Sequence, residues 1–452
     1  MGQRSRILTD VLGFDGWKVK ELFFESAGGA RVKPVGSLAL LRETRVVLVI
    51  ERRWLPRCSQ CQHACRKVHD RLGARRWSDL PWSSHPVELQ YAPVRVRCRH
   101  CKATPVEMVA WADGYQRQSR RLQHHLAVQA ASMPVMHVAA VHGLAWTTVR
   151  RAEEMAIARW EATRPNTPLC MIGVDEKWLG RRHHRDYKYV TIVSDLETGE
   201  PVWIGPGRSG DTLTEWLKGR SAEEKAAVKL FAMDMHRGFW NAVDDTRGYE
   251  HAPIVHDPFH IMKLAGKALD ELRREVFFRA SPELRALGRG TRWLFLRSWE
   301  RTTDAEKEKL AALLAQNNTL ARAYQIREEL RGVLHASTKD QMALGLARIL
   351  RRTARKDNVP LRRLHDTLNE RWNEILALGE HRPPVGRIEA LNNNWETLVR
   401  RARGYRNLDY LLRKLRFMTA NPIRNHDGVR RFLALGLPPP MTHSRQSLAT
   451  AA

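Results

Sequence analysis

Two sets of side chains in this 452-residue chain have the types and spacing to do chemistry. The first is a pair of C-x-x-C motifs, Cys58-Ser-Gln-Cys61 and Cys98-Arg-His-Cys101. Two such pairs can supply four thiolates, Cys58, Cys61, Cys98 and Cys101, to one structural Zn²⁺ in a tetrahedron. The intervening stretch is longer than in a compact zinc ribbon, so buried, unligated cysteines are the competing reading. Cys65, His63, His69 and His100 are substitute ligands or simple packing residues. The second set is acidic. Asp175 ends the apolar run Cys170-Met-Ile-Gly-Val-Asp175, Asp234 ends Val228-Lys-Leu-Phe-Ala-Met-Asp234, and Glu389 lies in Arg387-Ile-Glu389-Ala-Leu-Asn-Asn-Asn-Trp-Glu396. Phosphodiester hydrolysis and transfer need one oxygen activated and another stabilised across phosphorus. Two Mg²⁺ (or Mn²⁺) ions roughly 3.5–4 Å apart do both, held by hard carboxylates on rigid elements. Glu176, Asp257 and Glu396 are rivals for the third place, and each acid taken alone reads equally well as a strand end or cap.

These acids need a sheet and a helix to bring them together. The run into Asp175 predicts a buried strand, and Tyr187–Ser194 and Pro201–Gly205 predict two more, joined by Glu197-Thr-Gly-Glu200 as a hairpin loop. Val228–Asp234 and Ala252–His256 predict further strands, with short helices over Asp211–Gly219 and Arg237–Val243. A strand that carries an acid into a three-strand meander is how a ribonuclease-H-like core begins. Asp175 and Asp234 become neighbours if the first and fourth strands pair. Ile388, Leu391, Trp395 and Leu398 form one stripe of a helix, with Glu389, Asn393 and Glu396 on the adjoining face. Residues 259–380 read as helical almost throughout.

Upstream, Thr44–Glu51 predicts a strand, and Trp77–Trp82 with Val87–Val96 predict the body of a small β-rich module around the cysteines. Gln116–Trp160 turns helical. Within it, Val138–His142, Gly143 and a second helix from Trp146 have helix-turn-helix spacing, which places Thr147, Thr148, Arg150 and Arg151 to meet phosphates or base edges. A plain helical hairpin is the alternative. The tail beyond Asn421, with Pro438-Pro-Pro440, is expected to lose order at its last residues.

Composition supports a polyanionic partner. Lys+Arg number 76 against 49 Asp+Glu, a formal charge of +27, and the pI is near 10.5. Such a surface gains affinity for nucleic acid by counterion release, though a basic ribosome-associated or membrane-surface factor shares that charge. Hydrophobic residues make up 43% and charged residues 28%, an ordinary globular balance. The sequence has no apolar run of about 18 residues to span a bilayer and no signal-peptide core at its start. Six cysteines, four of them in C-x-x-C pairs, suit a reducing compartment.

At these residues the chain resembles the DDE transposases of bacterial insertion sequences, and among them the ISL-three family, over nearly its whole length. Cys58–Cys101 with Asp79-Leu-Pro81 resembles that family's zinc module, and Gly143–Arg151 its helix-turn-helix. Ile172-Gly-Val-Asp175-Glu176 is similar to the first-acid motif and Met233-Asp234-Met235 to the second. Val255-His-Asp-Pro-Phe-His260 with Ala268–Arg274 resembles the lead into a helical insertion. Arg387–Asn393 with Arg400-Arg-Ala-Arg-Gly-Tyr-Arg-Asn407 is similar to the third-acid helix and is the most specific match. Ala390 stands where the pattern expects Gly, and Leu179–Asp186 is more basic than usual.

The resemblance implies an α/β ribonuclease-H-like catalytic core interrupted by an all-α insertion, after an N-terminal zinc-binding β-rich module and a helix-turn-helix. Its segments are 1–50, 51–110 (zinc), 111–165 (helix-turn-helix), 166–258 (core), 259–384 (insertion), 385–420 (third-acid helix) and 421–452 (tail). It implies Asp175, Asp234 and Glu389 as ligands for two Mg²⁺, and Arg400, Arg401, Arg403 and Arg406 as phosphate contacts or a solvated basic face. His260 either lies near the site or packs. The implied partners are double-stranded DNA, as element ends and target, and a second copy of the chain on DNA, with no membrane, in a bacterial cytoplasm at the nucleoid. A DNA-binding regulator with an inert core and a nuclease on the same fold are the alternatives.

Overall fold

A computed structural model describes residues 3–32, 44–82, 85–179, 188–354, 358–402 and 405–437. Most of the basic stretch 179–186, together with Tyr187, Arg403, Gly404 and Pro438–Pro440, lies outside the described residues. The chain forms two compact units, 1–165 with 421–452, and 166–420. Among the described residues no helix is long and apolar enough to cross a membrane.

In the first unit a helix, Gln3–Leu12, precedes strands β1 (Trp17–Ser26), β2 (Arg31–Val32), β3 (Thr44–Arg52), β4 (Val68–Arg71), β5 (Arg75–Trp82), β6 (His85–Tyr91) and β7 (Val94–Val96). One five-stranded sheet runs β2-β1-β3-β6-β5, and β4 pairs only with β7. This corrects the expected zinc module. The 77–82 strand and the first part of 87–96 belong to a sheet with β1 and β3, not to a body around the cysteines. Pro93, which has no N–H to donate, falls at the break between β6 and β7. The core of this sheet centres on Trp111, fully buried, with Phe14 stacked at 5.8 Å and Trp77 edge-on at 5.0 Å.

Asp79, buried on β5, joins the sheet to the helices that follow. It accepts from Ser119 Oγ and from the Arg121 guanidinium, while Arg121 also donates to the Leu12 carbonyl. Ser119 caps the helix Arg120–Ser132, and helices Val135–His142 and Trp146–Glu161 follow. Gly143, at φ +61°, turns the chain between the last two. The tail holds an unexpected helix, His426–Ala434, whose buried Phe432 packs 4.7 Å from the His124 ring. Gly436 explains its closeness, because a Cβ there would meet the Arg121 Cα at 2.9 Å.

The second unit is built on a sheet of β8 (Met171–Trp178), β9 (Tyr189–Asp195), β10 (Pro201–Pro206), β11 (Leu230–Met233) and β12 (Ile254–His256), in the order β10-β9-β8-β11-β12. The first three form an antiparallel meander, and β11 runs parallel to both β8 and β12. One face buries Ile172, Val174, Phe231 and Met233 against helices Gly210–Lys218 and Arg237–Asp244. The other packs Val190, Ile192 and Ile204 against Leu391, Trp395 and Leu398 of the helix Gly386–Ala402, with Leu411 and Leu415 of Leu408–Ala420. Between β12 and Gly386 the described chain is helical, from Pro258–Phe278 to Trp372–His381, around its own core of Leu269, Ile326, Leu346 and Leu368.

A buried polar network holds the helices of the first unit and makes it sensitive to acid. Arg159 donates to Asp113, Gln123 and the Nε2 of His124, and Arg120 donates to Asp113. Burial, and then the Arg159 charge, pushes the His124 imidazole down to about 3. The unfolded chain therefore takes up a proton near pH 6.5 that the folded chain refuses. Stability fully present above that pH falls as pH drops toward 3, by on the order of a few kcal/mol. Urea denaturation from pH 7 to 4 is expected to show a shallower loss for His124→Gln than for the parent chain, and parallel curves would contradict this account.

Candidate functional site

Three carboxylates of the second sheet stand at the same level, Asp234 and Asp257 just past the ends of β11 and β12 and Asp175 inside β8, which runs on to Trp178 and does not end at Asp175 as the sequence suggested. Register pairs Val174 with Met233 and Met233 with His256, so the next residue on β8 and the residues following β11 and β12 are Asp175, Asp234 and Asp257. The Asp257 N–H continues the ladder to the Met233 carbonyl. Neighbouring strands stand about 4.8 Å apart, so the three backbones form one row. Each Asp is half-buried and each is oriented by a local bond. Asp175 accepts from the Glu176 N–H and from Lys177 Nζ, both at 2.8 Å. Asp234 accepts from the His236 N–H and Asp257 from the Phe259 N–H, each at 2.9 Å.

Glu389 reaches this edge on a helix seated by a glycine. Gly173 shares a face with Asp175, two residues on, and a Cβ on it would lie 2.6 Å from Ser194 Oγ and 3.3 Å from Ile388 Cδ1. The bare backbone lets Ile388, beside Glu389, settle with Leu196, Leu230 and Ala232. Arg387 donates to the Leu196 carbonyl at 2.8 Å and Arg400 pairs with Glu396. Neither arginine is drawn to Glu389, which is exposed.

The charges of Asp175 and Glu389 both act on Asp257, whose carboxyl is held above its usual range, first by burial and then by these two acids, with His260 opposing them. Four carboxylates therefore share one edge. They are not drawn tight: among the described residues, the groups of three or more ligand atoms within 4.8 Å of one another are Cys58, Cys61, Cys98 and Cys101, and Cys61, His63 and His100. Asp257, a rival for the third place in the sequence, and Lys177 are the residues that sequence reasoning undervalued. Both had a signal: Ile-Val-His-Asp257 repeats the apolar-run-then-acid pattern a third time, and strand alternation places Lys177 beside Asp175.

The four cysteines do converge. Sγ atoms of Cys58 and Cys101 are 3.6 Å apart and those of Cys61 and Cys98 3.4 Å, against an edge of about 3.8 Å for a tetrahedron with Zn–S bonds of about 2.3 Å. The two knuckles share a turn, with Gln62 at φ +61° and Lys102 at φ +56° just after the second cysteine of each. The Cys101 N–H, helped by Cys61 and the His100 N–H, brings the Cys98 thiol down to about 6 despite burial, while at Cys61 a backbone bond from His63 is outweighed by burial and the neighbouring thiols, which push it up to about 12, and Cys101 is also raised. The convergence of four sulfurs is what makes the donor set fit a metal. Cys65 lies beside the cluster with its thiol pushed up to about 11 by burial. The His63 and His100 rings stack at 3.8 Å, while His69 bonds Arg97 instead.

In the helix-turn-helix, Thr147 and Arg151 are exposed at the start of the third helix and Thr148 is half-buried. Arg150 is half-buried and has an acidic partner of its own. It pairs with Glu154 at 3.0 Å and lies over Trp146, because the i, i+4 spacing brings opposite charges together. Arg400, Arg401 and Arg406 are exposed.

The steric account of Gly173 sets the sign of a stability change. A strand glycine with free space gains about 0.5–1 kcal/mol on becoming alanine, whereas overpacking costs about 1–3 kcal/mol. Gly173→Ala is expected to destabilise the second unit by the latter amount in urea titrations, and a gain in stability would refute the packing.

A family model described as a transposase matches residues 172–415, and one described as the helix-turn-helix domain of transposase family ISL3 matches 107–154. The transposase for insertion sequence element IS1001 of Bordetella parapertussis is 27% identical over 363 residues, covering 79% of this chain and 87% of its own. The transposase for insertion sequence element IS1557 of Mycobacterium tuberculosis (strain CDC 1551 / Oshkosh) is 27% identical over 444 residues, covering 90% and 94%. The matched region holds the acidic row and its glycine-seated helix, and the chain belongs to the ISL3 family of DDE transposases.

Proposed function

We propose that this transposase binds the terminal inverted repeats of an insertion sequence, cuts at its ends and joins the freed 3′ hydroxyls to target DNA, with Asp175, Asp234 and Glu389 as its catalytic acids. The observation that carries this reading is the level placement of Asp175, inside β8, and Asp234, just past the adjacent parallel β11, with Glu389 near enough for its charge to act on Asp257 in the same row. The strand order, with the first strand between the second and fourth, supports a ribonuclease-H-like core, and the helical block after β12 reads as its insertion.

The site fits hard divalent cations by its donor chemistry. Carboxylates on rigid elements raise one another's pKa where no cation offsets them, and Asp257 registers that repulsion. Asp175, Asp234 and Glu389 would hold two Mg²⁺ or Mn²⁺. When bound, the ions supply charge for the attacking and leaving oxygens of the phosphodiester. The chain's own part is to aim the acids. The Glu176 and His236 N–H groups fix Asp175 and Asp234, and the Lys177 ammonium neutralises Asp175 until a stronger cation competes for it. Arg400, Arg401 and Arg406 supply exposed positive charge on and just after the Glu389 helix, where phosphates would be neutralised.

The four cysteines would hold one structural Zn²⁺ that rigidifies the N-terminal unit. The third helix of the helix-turn-helix then reads the element ends through Thr147, Thr148 and Arg151, with Arg150 available once it leaves Glu154. The segments 111–165, 166–258, 259–384 and 385–420 are proposed as working divisions, while 51–110 keeps only its cysteine knuckles, because its strands β5 and β6 complete the sheet of β1 and β3. Joining two ends favours a dimer or larger assembly on DNA, at the nucleoid of a bacterial cytoplasm.

With Mg²⁺ and DNA carrying the element ends, the chain is expected to cleave and join. Asp175→Asn should lower both by more than about a hundredfold, beyond what loss of an outer-shell contact costs, while end binding survives. Binding without metal-dependent cutting would favour a regulator, and cutting without joining a nuclease. Metal analysis is expected to find about one zinc per chain, lost in Cys58→Ser together with more end-specific than non-specific binding; equal loss of both would refute a recognition role for the module.

A further inference from the structure

We propose that Asp257 is a fourth carboxylate of the acidic site and binds a divalent ion directly, beyond its task as the cap of the helix Pro258–Phe278. This rests on the reading of Asp175, Asp234 and Glu389 as metal ligands and extends it by one residue. Three observations carry it. Register places Asp257 one step past His256, level with Asp234 and on the far side of it from Asp175, and the Asp257 N–H continues the ladder to Met233. Asp234 is thus flanked by an acid on each neighbouring strand.

The cap does not need the charge. It engages one oxygen, Oδ1, through the Phe259 N–H at 2.9 Å. Among the described residues, the second oxygen makes no hydrogen bond. Asparagine and serine cap a helix about as well as aspartate, so a cap alone gives no reason to keep an anion in a half-buried place. That place is also unfavourable for an anion on balance, since burial and the charges of Asp175 and Glu389 outweigh the Phe259 N–H and His260, which favour it. A carboxylate there is useful to a cation that binds all of these acids, and costly otherwise. A fourth donor also suits Mg²⁺, which takes six oxygens and fills from water whatever the protein does not supply.

The equal capping power of asparagine makes the test clean. Mn²⁺ binding to the full-length, zinc-loaded chain is measured by calorimetry and by the paramagnetic resonance of free Mn²⁺, for the parent and for Asp257→Asn, Asp257→Ser, Asp175→Asn and Asp234→Asn. Asp257→Asn and Asp257→Ser are expected to weaken Mn²⁺ binding at least tenfold, or to remove one of two bound ions, with metal-free thermal unfolding no lower than the parent's. If Asp175→Asn and Asp234→Asn weaken binding while both Asp257 variants bind as the parent does, Asp257 is only a cap and the proposal fails alone. If none of the four changes Mn²⁺ binding, the metal-site reading fails and this proposal with it. Should one Asp257 variant not fold, the other decides between these outcomes.

Discussion

Carboxylates repel one another, and holding several at one edge of a sheet costs free energy that grows as they leave water. The second unit is arranged around that cost. Parallel pairing of β11 with β8 and β12 sets the ends of β11 and β12 level with the middle of β8, so that Asp175, Asp234 and Asp257 take their places from backbone hydrogen bonds. Because side chains alternate along a strand, a slip of one residue would turn an acid to the other face. The buried partners of that register, Val174 and Met233, resist the slip with their packing on Phe239 and Leu213.

The same edge also has to admit a helix. An ordinary side chain at 173 would crowd Ser194 Oγ, Leu196 Cδ2 and, on the 386–402 helix beside Glu389, the tip of Ile388. The glycine therefore gives up strand propensity for approach distance. The Ile388, Leu391, Trp395 and Leu398 stripe then fixes the rotation of the helix, since those four side chains are buried and Glu389 is left outside. A local penalty at 173 and a long apolar stripe some two hundred residues later in the chain act on a single carboxylate.

Much of this was legible in the sequence because period and composition agreed. Strands that end on an acid, a hairpin loop of Glu-Thr-Gly-Glu and a four-residue apolar stripe each carry their structure locally, and the observed β8–β12 and the 386–402 helix fall within a few residues of expectation. The N-terminal unit was less legible. Nothing local distinguishes a strand that pairs near the cysteines from one that pairs with β3, so β5 and the β6 stretch were grouped by nearness in sequence rather than by partner. The 426–434 helix was missed for a similar reason. Its packing partners are near residue 124, and a short helix without that contact would not stand alone. Arg150 shows the limit at a site: its type suits phosphate, but a glutamate one turn on competes for it.

The two units meet the problem of clustered anions in opposite ways. Around the cysteines, four sulfurs already lie at nearly the separation that a tetrahedral ion would impose, held by paired knuckles with the same left-handed turn. That preorganisation suits an ion that is bound once and kept. At the acidic edge the oxygens stand apart, and an ammonium at 2.8 Å occupies Asp175. A cation there would compete with Lys177 for Asp175. A phosphodiester, itself an oxygen donor, would share the ion and strengthen its hold. Loose acids and tight thiols in one chain are therefore consistent with a permanent structural metal in the first unit and exchangeable metals in the second.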